Sequence, residues 1–215
     1  MIAPTVHAEV GRAWAFRNTR FNDGWKFLKS DAVGAEATEF DDHSWRDIQL
    51  PHDWSIEGPF DQKWASGTGY LPGGIGWYRK TFSLTSAQAG RRISIRFDGV
   101  YKNSKVWCNG QLLGERPNGY VSFEYDLTPY LRPMGQTNVI AVRVDHSDFA
   151  DSRWYPGSGI NRDVWLINTG DVHVPTNGTF VTTPQVDAHR AVVDVRTSVK
   201  NDGTEPAKVT LVSTI

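Results

Sequence analysis

Cysteine is nearly missing from the 215 residues: Cys108 stands alone. One thiol excludes an internal disulfide framework and a cysteine-built zinc cage. An excess of one charge is missing too. Lys and Arg total 23 against 24 Asp and Glu, a net charge of -1. That balance carries no electrostatic footprint for nucleic acid or an anionic membrane surface, so neither is expected as a partner. No run approaches the ~20 apolar residues of a membrane span. Met1 to Ala8 has neither a basic n-region nor an apolar h-region and is no complete signal peptide; Val6-His7-Ala8 is at most a remnant beside a cleavage site. Helical periodicity is nearly absent as well.

What is abundant is aromatic residues and glycine: 9 Trp, 7 Tyr, 10 Phe and 20 Gly. Such a composition suits short strands joined by turns. In Arg91 to Phe97, Ile93, Ile95 and Phe97 fall on one face and Arg92, Ser94 and Arg96 on the other, the period-two mark of a half-buried strand. Lys105 to Cys108 and Gln111 to Gly114 flank Asn109-Gly110, a strong hairpin signal because both central residues of a type I′ turn need positive φ. Asn138 to Val144 alternates with Ile140, Val142 and Val144 inward. Trp77 to Leu84, Val121 to Tyr125 and Asp163 to Ile167 complete a set that predicts an antiparallel sandwich. One helical turn is expected at Thr128 to Leu131, capped by Thr128 with Pro129 first, and a short 3₁₀ turn at Asp41 to Trp45 with Asp41 as cap. Phe60 to Gly76 reads as a long, glycine-rich loop, a kind often functional. After Gly170 the chain turns to Val and Thr without Trp. Strands are expected at Gly178 to Thr183, Arg190 to Lys200 and Ala207 to Ile215, with a turn at Asn201-Asp202-Gly203. This second unit is shorter than the roughly 100 residues of an immunoglobulin-like sandwich.

The residues that could do chemistry are sparse. The histidines 7, 43, 52, 146, 173 and 189 show no i, i+4 pair and none adjoins a cysteine, so no zinc site is expected. There is no G-x-S-x-G and no GxxxxGK[ST], and Gly73-Gly74-Ile75-Gly76 precedes a strand, not a helix that would cradle phosphate. Cys108, inside a strand, reads as a small buried apolar residue. The glutamates show no pattern that places two carboxyl groups across a sugar. No catalytic residue, metal ligand or cofactor site is therefore assigned. Sugar binding has better support, because aromatic faces stack on sugar C–H surfaces and planar polar groups bond vicinal hydroxyls. Trp64, Tyr70, Trp77, Trp154 and Tyr155 lie in or beside loops, with Arg153 among them. Trp54, Trp77 and Trp165 read as core. Arg79, Lys80 and Arg162-Asp163 read as partners in inter-strand or domain-interface ion pairs, and His52-Asp53 as a turn held by hydrogen bonds.

Asp151-Ser152-Arg153-Trp154-Tyr155-Pro156-Gly157-Ser158-Gly159-Ile160-Asn161-Arg162-Asp163-Val164-Trp165-Leu166 resembles the segment closing the N-terminal sugar-binding domain of glycoside hydrolase family 2, most of all its bacterial β-galactosidase branch. Supporting segments stand in the family's order. They include Phe21 to Phe27, Leu50-Pro51-His52-Asp53-Trp54, Gly76-Trp77-Tyr78-Arg79-Lys80 and Phe97-Asp98-Gly99-Val100. Val106 to Gly110, Gly119-Tyr120 and Tyr125 to Leu131 follow. The resemblance implies an all-β chain: a jelly-roll (galactose-binding-like) β-sandwich over residues 21–170, preceded by an extension over 1–20 and followed over 171–215 by part of an immunoglobulin-like β-sandwich. It also implies a catalytic TIM barrel, C-terminal to this stretch, that carries both catalytic glutamates of a retaining enzyme.

In that family the first domain sends a residue into the glycone subsite, often an aspartate six positions before the Gly of the Gly-Ile pair. Counting back from Gly159 gives Arg153, a departure that keeps two parallel hydrogen-bond donors but cannot ligate a cation. The implied substrate-binding residues are Arg153, Trp154 and Tyr155, and the implied function is support of the barrel and a share of the glycone wall in hydrolysis of terminal β-galactosides. A stand-alone lectin-like module, a purely structural one, and a β-mannosidase or β-glucuronidase of the same family are the rival readings. The implied partners are a β-galactoside or other carbohydrate and the barrel itself. A homo-oligomer is compatible with the sequence, and bacterial cytoplasm and periplasm both stay open.

Overall fold

The computed structural model describes residues 17–149 and 152–214. Most of the stretch expected as an extension, the 1–8 segment, Asp151 and Ile215 lie outside the described residues. The chain divides into two compact units, the first through Asn168 and the second from Thr169. Strands dominate both, and among the described residues each 3₁₀ turn is three residues long.

The strands of the first unit are β1 (Asn18–Arg20), β2 (Trp25–Leu28), β3 (Arg46–Ile48), β4 (Gly74–Ser83), β5 (Arg92–Phe97), β6 (Ser104–Cys108), β7 (Gln111–Arg116), β8 (Phe123–Asp126), β9 (Thr137–His146) and β10 (Val164–Thr169). They form a six-stranded sheet, β3-β2-β4-β9-β6-β7, and a four-stranded sheet, β1-β10-β5-β8. Neighbouring strands of the larger sheet run antiparallel, as do β1 with β10 and β5 with β8. Side chains from both sheets share one core. The larger sheet sends in Trp25, Phe27, Tyr78, Val106, Ile140, Val142 and Val144, and the smaller Ile93, Ile95, Phe97, Phe123, Val164 and Leu166. The strict alternation of β5 is realised, with Ile93, Ile95 and Phe97 buried and their neighbours half-exposed. The Asn109-Gly110 hairpin forms with both residues at positive φ, 49° and 81°. Cys108 is buried, and desolvation pushes its thiol up to about 12, so it packs as an apolar residue.

The alternation expected in β9 is only half the picture. Ile140, Val142 and Val144 face the shared core, yet Val139 and Ala141 are buried too. The segment between β2 and β3 covers the outer face of the larger sheet, where Ala35, Trp45, Trp77 and Ala141 form a second apolar cluster. Trp77 stacks there on Trp107 at 5.3 Å. Arg79 is buried on the same face. Its Nε donates to Asp42 at 2.8 Å, and its two terminal nitrogens donate to the carbonyls of Ala35, Ala37 and Thr38. The expected ion pair of Arg79 is thus made with the covering segment rather than across strands.

Several local expectations are corrected. Among the described residues Lys80 makes no ion pair: its ammonium donates to the carbonyls of Phe21 and Asp23 and lies 3.6 Å from the Phe21 ring centroid. Burial draws its pKa down to about 8. Trp165 is half-buried rather than core, donating to Asp98 at 2.8 Å with Arg20 and Arg96 against its ring. The 3₁₀ turn at Thr128–Tyr130 starts after Leu127, and Thr128 does not cap it. The Thr128 hydroxyl instead accepts from the Ile93 amide of the neighbouring strand β5, while Asp126 accepts from the Thr128 amide. Asp41 accepts from the His43 amide as expected, but the turn there closes with a single backbone bond from Trp45 to Asp42, not a 3₁₀ helix. The 60–76 stretch is not all loop: it holds a 3₁₀ turn at Ser66–Thr68, and β4 begins already at Gly74.

The second unit contains β11 (Val172–His173), β12 (Thr179–Val186), β13 (Ala191–Thr197) and β14 (Lys200–Asn201). β12 pairs with β13 and β11 with β14, each antiparallel. The single strand expected over Arg190 to Lys200 is therefore broken at Ser198-Val199. Asn201 accepts from the Gly203 amide, forming the expected turn. No strand forms over residues 207–214, where the third was expected. A strand needs a neighbour for its backbone groups, and none pairs with this stretch among the described residues. Phe180, Val181 and Val186 stand exposed on the hairpin.

Candidate functional site

The bend that joins β9 to β10 leaves the sandwich and returns to it through two glycines. Gly157 and Gly159 have φ of 77° and 105°, conformations that L side chains rarely adopt. At Gly159 a Cβ would strike the Tyr78 hydroxyl and crowd Trp54 and the His52 carbonyl, so glycine is required twice over. Gly159 exchanges two backbone hydrogen bonds with Tyr101, at 2.8 and 2.9 Å, which fixes the return leg against the strand ends.

Residues 52–55 run alongside this leg. His52 N donates to Ile160 O at 2.8 Å and Trp54 N to Ser158 O at 3.3 Å. Between them Asp53 receives the Ser55 amide at 3.0 Å, the Ser158 amide at 2.8 Å and, in a very short hydrogen bond, the Tyr155 hydroxyl. Burial, with the Asp53 carboxylate beside it, raises the Tyr155 phenol far above its ordinary pKa. Ser158 adds a hydroxyl hub, 2.5 Å from Ser55 Oγ and 2.7 Å from His146 Nδ1. Ser55 Oγ donates in turn to Pro72 O at 2.8 Å.

His52, expected as part of a structural turn, is buried in that role. Its Nδ1 lies 2.8 Å from Tyr78 Oη, and its Nε2 faces Arg46 and Glu57 at 2.9 and 3.2 Å. Burial lowers its pKa, against the opposing pull of Glu57. Tyr78 is fully buried and its phenol is pushed strongly upward by desolvation.

The outward leg carries the three residues singled out from the sequence. Trp154 is 60% exposed and its indole N–H donates to Tyr120 Oη at 2.8 Å. Tyr155 is 41% exposed although its hydroxyl is tied down. Arg153 is exposed, and its guanidinium has no hydrogen bond or ion pair among the described residues. Ser152 Oγ donates to Trp154 O at 2.6 Å, tightening the turn around Arg153. Gly67 lies against the Ser152 carbonyl so closely that no Cβ fits there. The 60–76 segment, read from the sequence as a loop of a kind often functional, and the bend therefore touch.

The other loop aromatics divide. Trp64 lines a cleft of about 150 Å³ with Leu71, His146 and Phe149, and Tyr70 is exposed at the tip of the same segment. Trp77 belongs to the outer apolar cluster and takes no part. A shallower polar groove of about 590 Å³ lies among Pro51, Asp98, Tyr120, Ser122, Asn161 and Arg162. Arg162 donates to the Tyr120 carbonyl there, and Asp163 accepts from Asn22 and faces Arg20 at 3.7 Å. Among the described residues no group of three or more His, Cys, Asp or Glu could hold a metal ion.

Reading along the chain missed Tyr120 and underrated Asp53 as elements of this arrangement. Their contacts span 34 and about a hundred residues, and nothing local marks them. The glycines of the bend were the available signal.

These features define a class: an all-β protein of stacked antiparallel sheets whose exposed aromatic and polar side chains gather on loops at the strand ends. Residues 13–170 match the family model described as glycosyl hydrolases family 2, sugar binding domain, and the chain belongs to that family. It is 51% identical over 197 residues to a β-galactosidase of Bacteroides ovatus, covering 91% of this chain and 23% of that protein. It is 43% identical over 186 residues to a putative β-glucuronidase of Formosa agariphila, covering 85% and 18%. A crystal structure of a β-glycosidase from Bacteroides vulgatus superposes with a TM-score of 0.82 at 42% identity, covering 87% of this chain and 25% of that one. The chain thus spans about a fifth to a quarter of the proteins it matches.

Proposed function

We propose that this chain is the N-terminal part of a retaining glycosidase that removes terminal β-galactosyl units. In this reading residues 171–215 open an immunoglobulin-like domain, and both catalytic carboxylates lie in a following TIM barrel. The first unit braces that barrel and lends the 152–155 bend to the glycone wall. The observation that carries the reading is the Arg153 guanidinium, without a partner among the described residues, beside Ser152, Trp154 and Tyr155, whose side chains are each hydrogen-bonded. An arginine usually finds a carboxylate or carbonyl within its own domain, as Arg79 does. One without a partner among the described residues, followed in the chain by the exposed rings of Trp154 and Tyr155, is suited to bonding vicinal sugar hydroxyls. The family match and the relative named as a β-galactosidase support the same assignment.

A second reading rests on the same guanidinium. Its fixed positive charge also complements a sugar carboxylate, and relatives named as β-glucuronidases support a β-glucuronide substrate. Hydrolysis of nitrophenyl β-galactoside and nitrophenyl β-glucuronide by the full-length protein separates the two. The first reading predicts the galactoside by at least about tenfold in kcat/KM, the size of one charge-assisted contact. Preference for the glucuronide establishes the second. The 215-residue chain alone should hydrolyse neither, since the nucleophile and proton donor are supplied elsewhere; turnover by it would refute both.

A further inference from the structure

We propose that Asp53 is a positioning residue for the sugar-facing bend, setting the direction of Arg153 through Tyr155 and Ser158. The inference rests on the glycone-wall reading and deepens it by naming what holds the wall in place.

The Arg153 guanidinium has no partner among the described residues, so its aim is inherited from the backbone that bears it. That backbone is pinned at three places. Ser152 lies against Gly67 on one side. Trp154 is tethered at its indole to Tyr120. Tyr155 and Ser158 are both drawn onto the carboxylate of Asp53. The first two pins join loop to loop. The third joins the bend to residues 52–55, which are themselves bonded to the return leg at Ser158 and Ile160 and packed, through the rings of His52 and Trp54, on buried Tyr78. The return leg has further bonds to the sandwich, but Asp53 is what carries that anchorage out to Tyr155 on the outward leg.

A carboxylate is chemically suited to that place. Two backbone amides and a phenol, all donors, converge on it, and an ionised carboxyl is acceptor-only with capacity for all three. Asparagine has the same shape but turns an N–H toward the Tyr155 hydroxyl, replacing the charge-assisted bond to the bend's outer leg with a weaker neutral one of reversed direction. Removing the phenol hydroxyl abolishes that bond altogether. A displaced bend misaims the side chain two residues away, and a misplacement of about 1 Å is enough to weaken a transition-state contact.

The test uses the full-length protein and its own glycoside substrate. Asp53→Asn and Tyr155→Phe are each made in the native background and in the Arg153→Ala background, with thermal melting recorded for all. Each single change should lower kcat/KM about tenfold, the scale of one lost charge-assisted hydrogen bond. Each should cost less than about twofold once Arg153 is gone, because a residue acting through another has nothing left to aim. The full loss persisting in the Arg153→Ala background would overturn the inference, since it would mean that Asp53 acts on stability or by another route. So would native activity in both single variants beside an impaired Arg153→Ala. An Arg153→Ala enzyme with native activity would instead overturn the glycone-wall reading beneath it.

Discussion

Two arginines of this molecule, Arg79 and Arg153, have opposite surroundings. Arg79 on β4 is sealed beneath the segment between β2 and β3, with Asp42 and three carbonyls taking up its donors. Arg153 sits in the open on a glycine-bounded bend with no partner among the described residues. Burial makes the first a fastener: a buried charge without its partners is costly, so its bonds and the covering segment require one another. The second has no hydrogen bond or ion pair among the described residues that would account for fixing the bend so firmly. The rigidity around it, supplied by Tyr120, Asp53 and Ser158, is the kind of support that pre-aims a donor for a ligand.

The comparison breaks most visibly at Arg79. Arg79→Ala should destabilise the protein by about 3–5 kcal/mol, because Asp42 and the carbonyls lose their donor together. Denaturant unfolding reads this, and a loss under 1 kcal/mol would show that the covering segment is held by its apolar contacts alone. Next in size is Gly159→Ala. A φ of 105° and the contact with Tyr78 should together cost about 2–4 kcal/mol, with activity falling as well because the return leg moves. Unchanged stability would mean that the bend is not anchored where the Tyr101 bridge places it.

Arg153→Ala should do the reverse of Arg79→Ala. Stability stays within about 0.5 kcal/mol of native, as for an exposed residue away from packed or hydrogen-bonded features. Transition-state binding falls by about 1–3 kcal/mol, read from kcat/KM of the full-length enzyme. A destabilised variant with native kinetics would place Arg153 with Arg79 as a fastener.

The smallest effect concerns pH. His52 is held neutral by burial, its pKa below the usual 6.5, and Glu57 is kept ionised: burial opposes this, but the Arg46 hydrogen bond and His52 outweigh it. An unfolded histidine takes up its proton before the folded one does. Stability from His52 is therefore complete above about pH 6.5 and declines as pH falls below it, levelling off once the folded histidine also protonates. Glu57 adds loss in the same direction, below its unfolded pKa of about 4.5. His52→Gln should flatten the slope of melting temperature between pH 7 and about pH 5. An identical slope in the variant would remove His52 from the account.

Much of the sandwich was legible because its strands obey local rules. Ile93, Ile95 and Phe97 alternate, and Asn109-Gly110 turns a hairpin at positive φ. What failed depended on partners distant in sequence. β9 is buried on both faces only because the segment near Ala35 and Trp45 folds over it. Lys80 found carbonyls instead of a carboxylate, and Trp165 stayed at the surface between two arginines. Thr128 spent its hydroxyl on Ile93 rather than on its own turn. At the bend, the glycines and aromatics marked a loop worth attention, but the pins on it come from positions 53, 67 and 120, whose proximity only the fold creates.

The most direct measurement is a structure of the full-length protein with a glycone-site ligand such as a galactose-configured inhibitor. The account predicts Arg153 nitrogen atoms within about 2.7–3.2 Å of sugar oxygens, with Asp53 still holding Tyr155 and Ser158. A guanidinium turned to bulk solvent, or paired with an acid of a neighbouring domain away from the sugar, would contradict it.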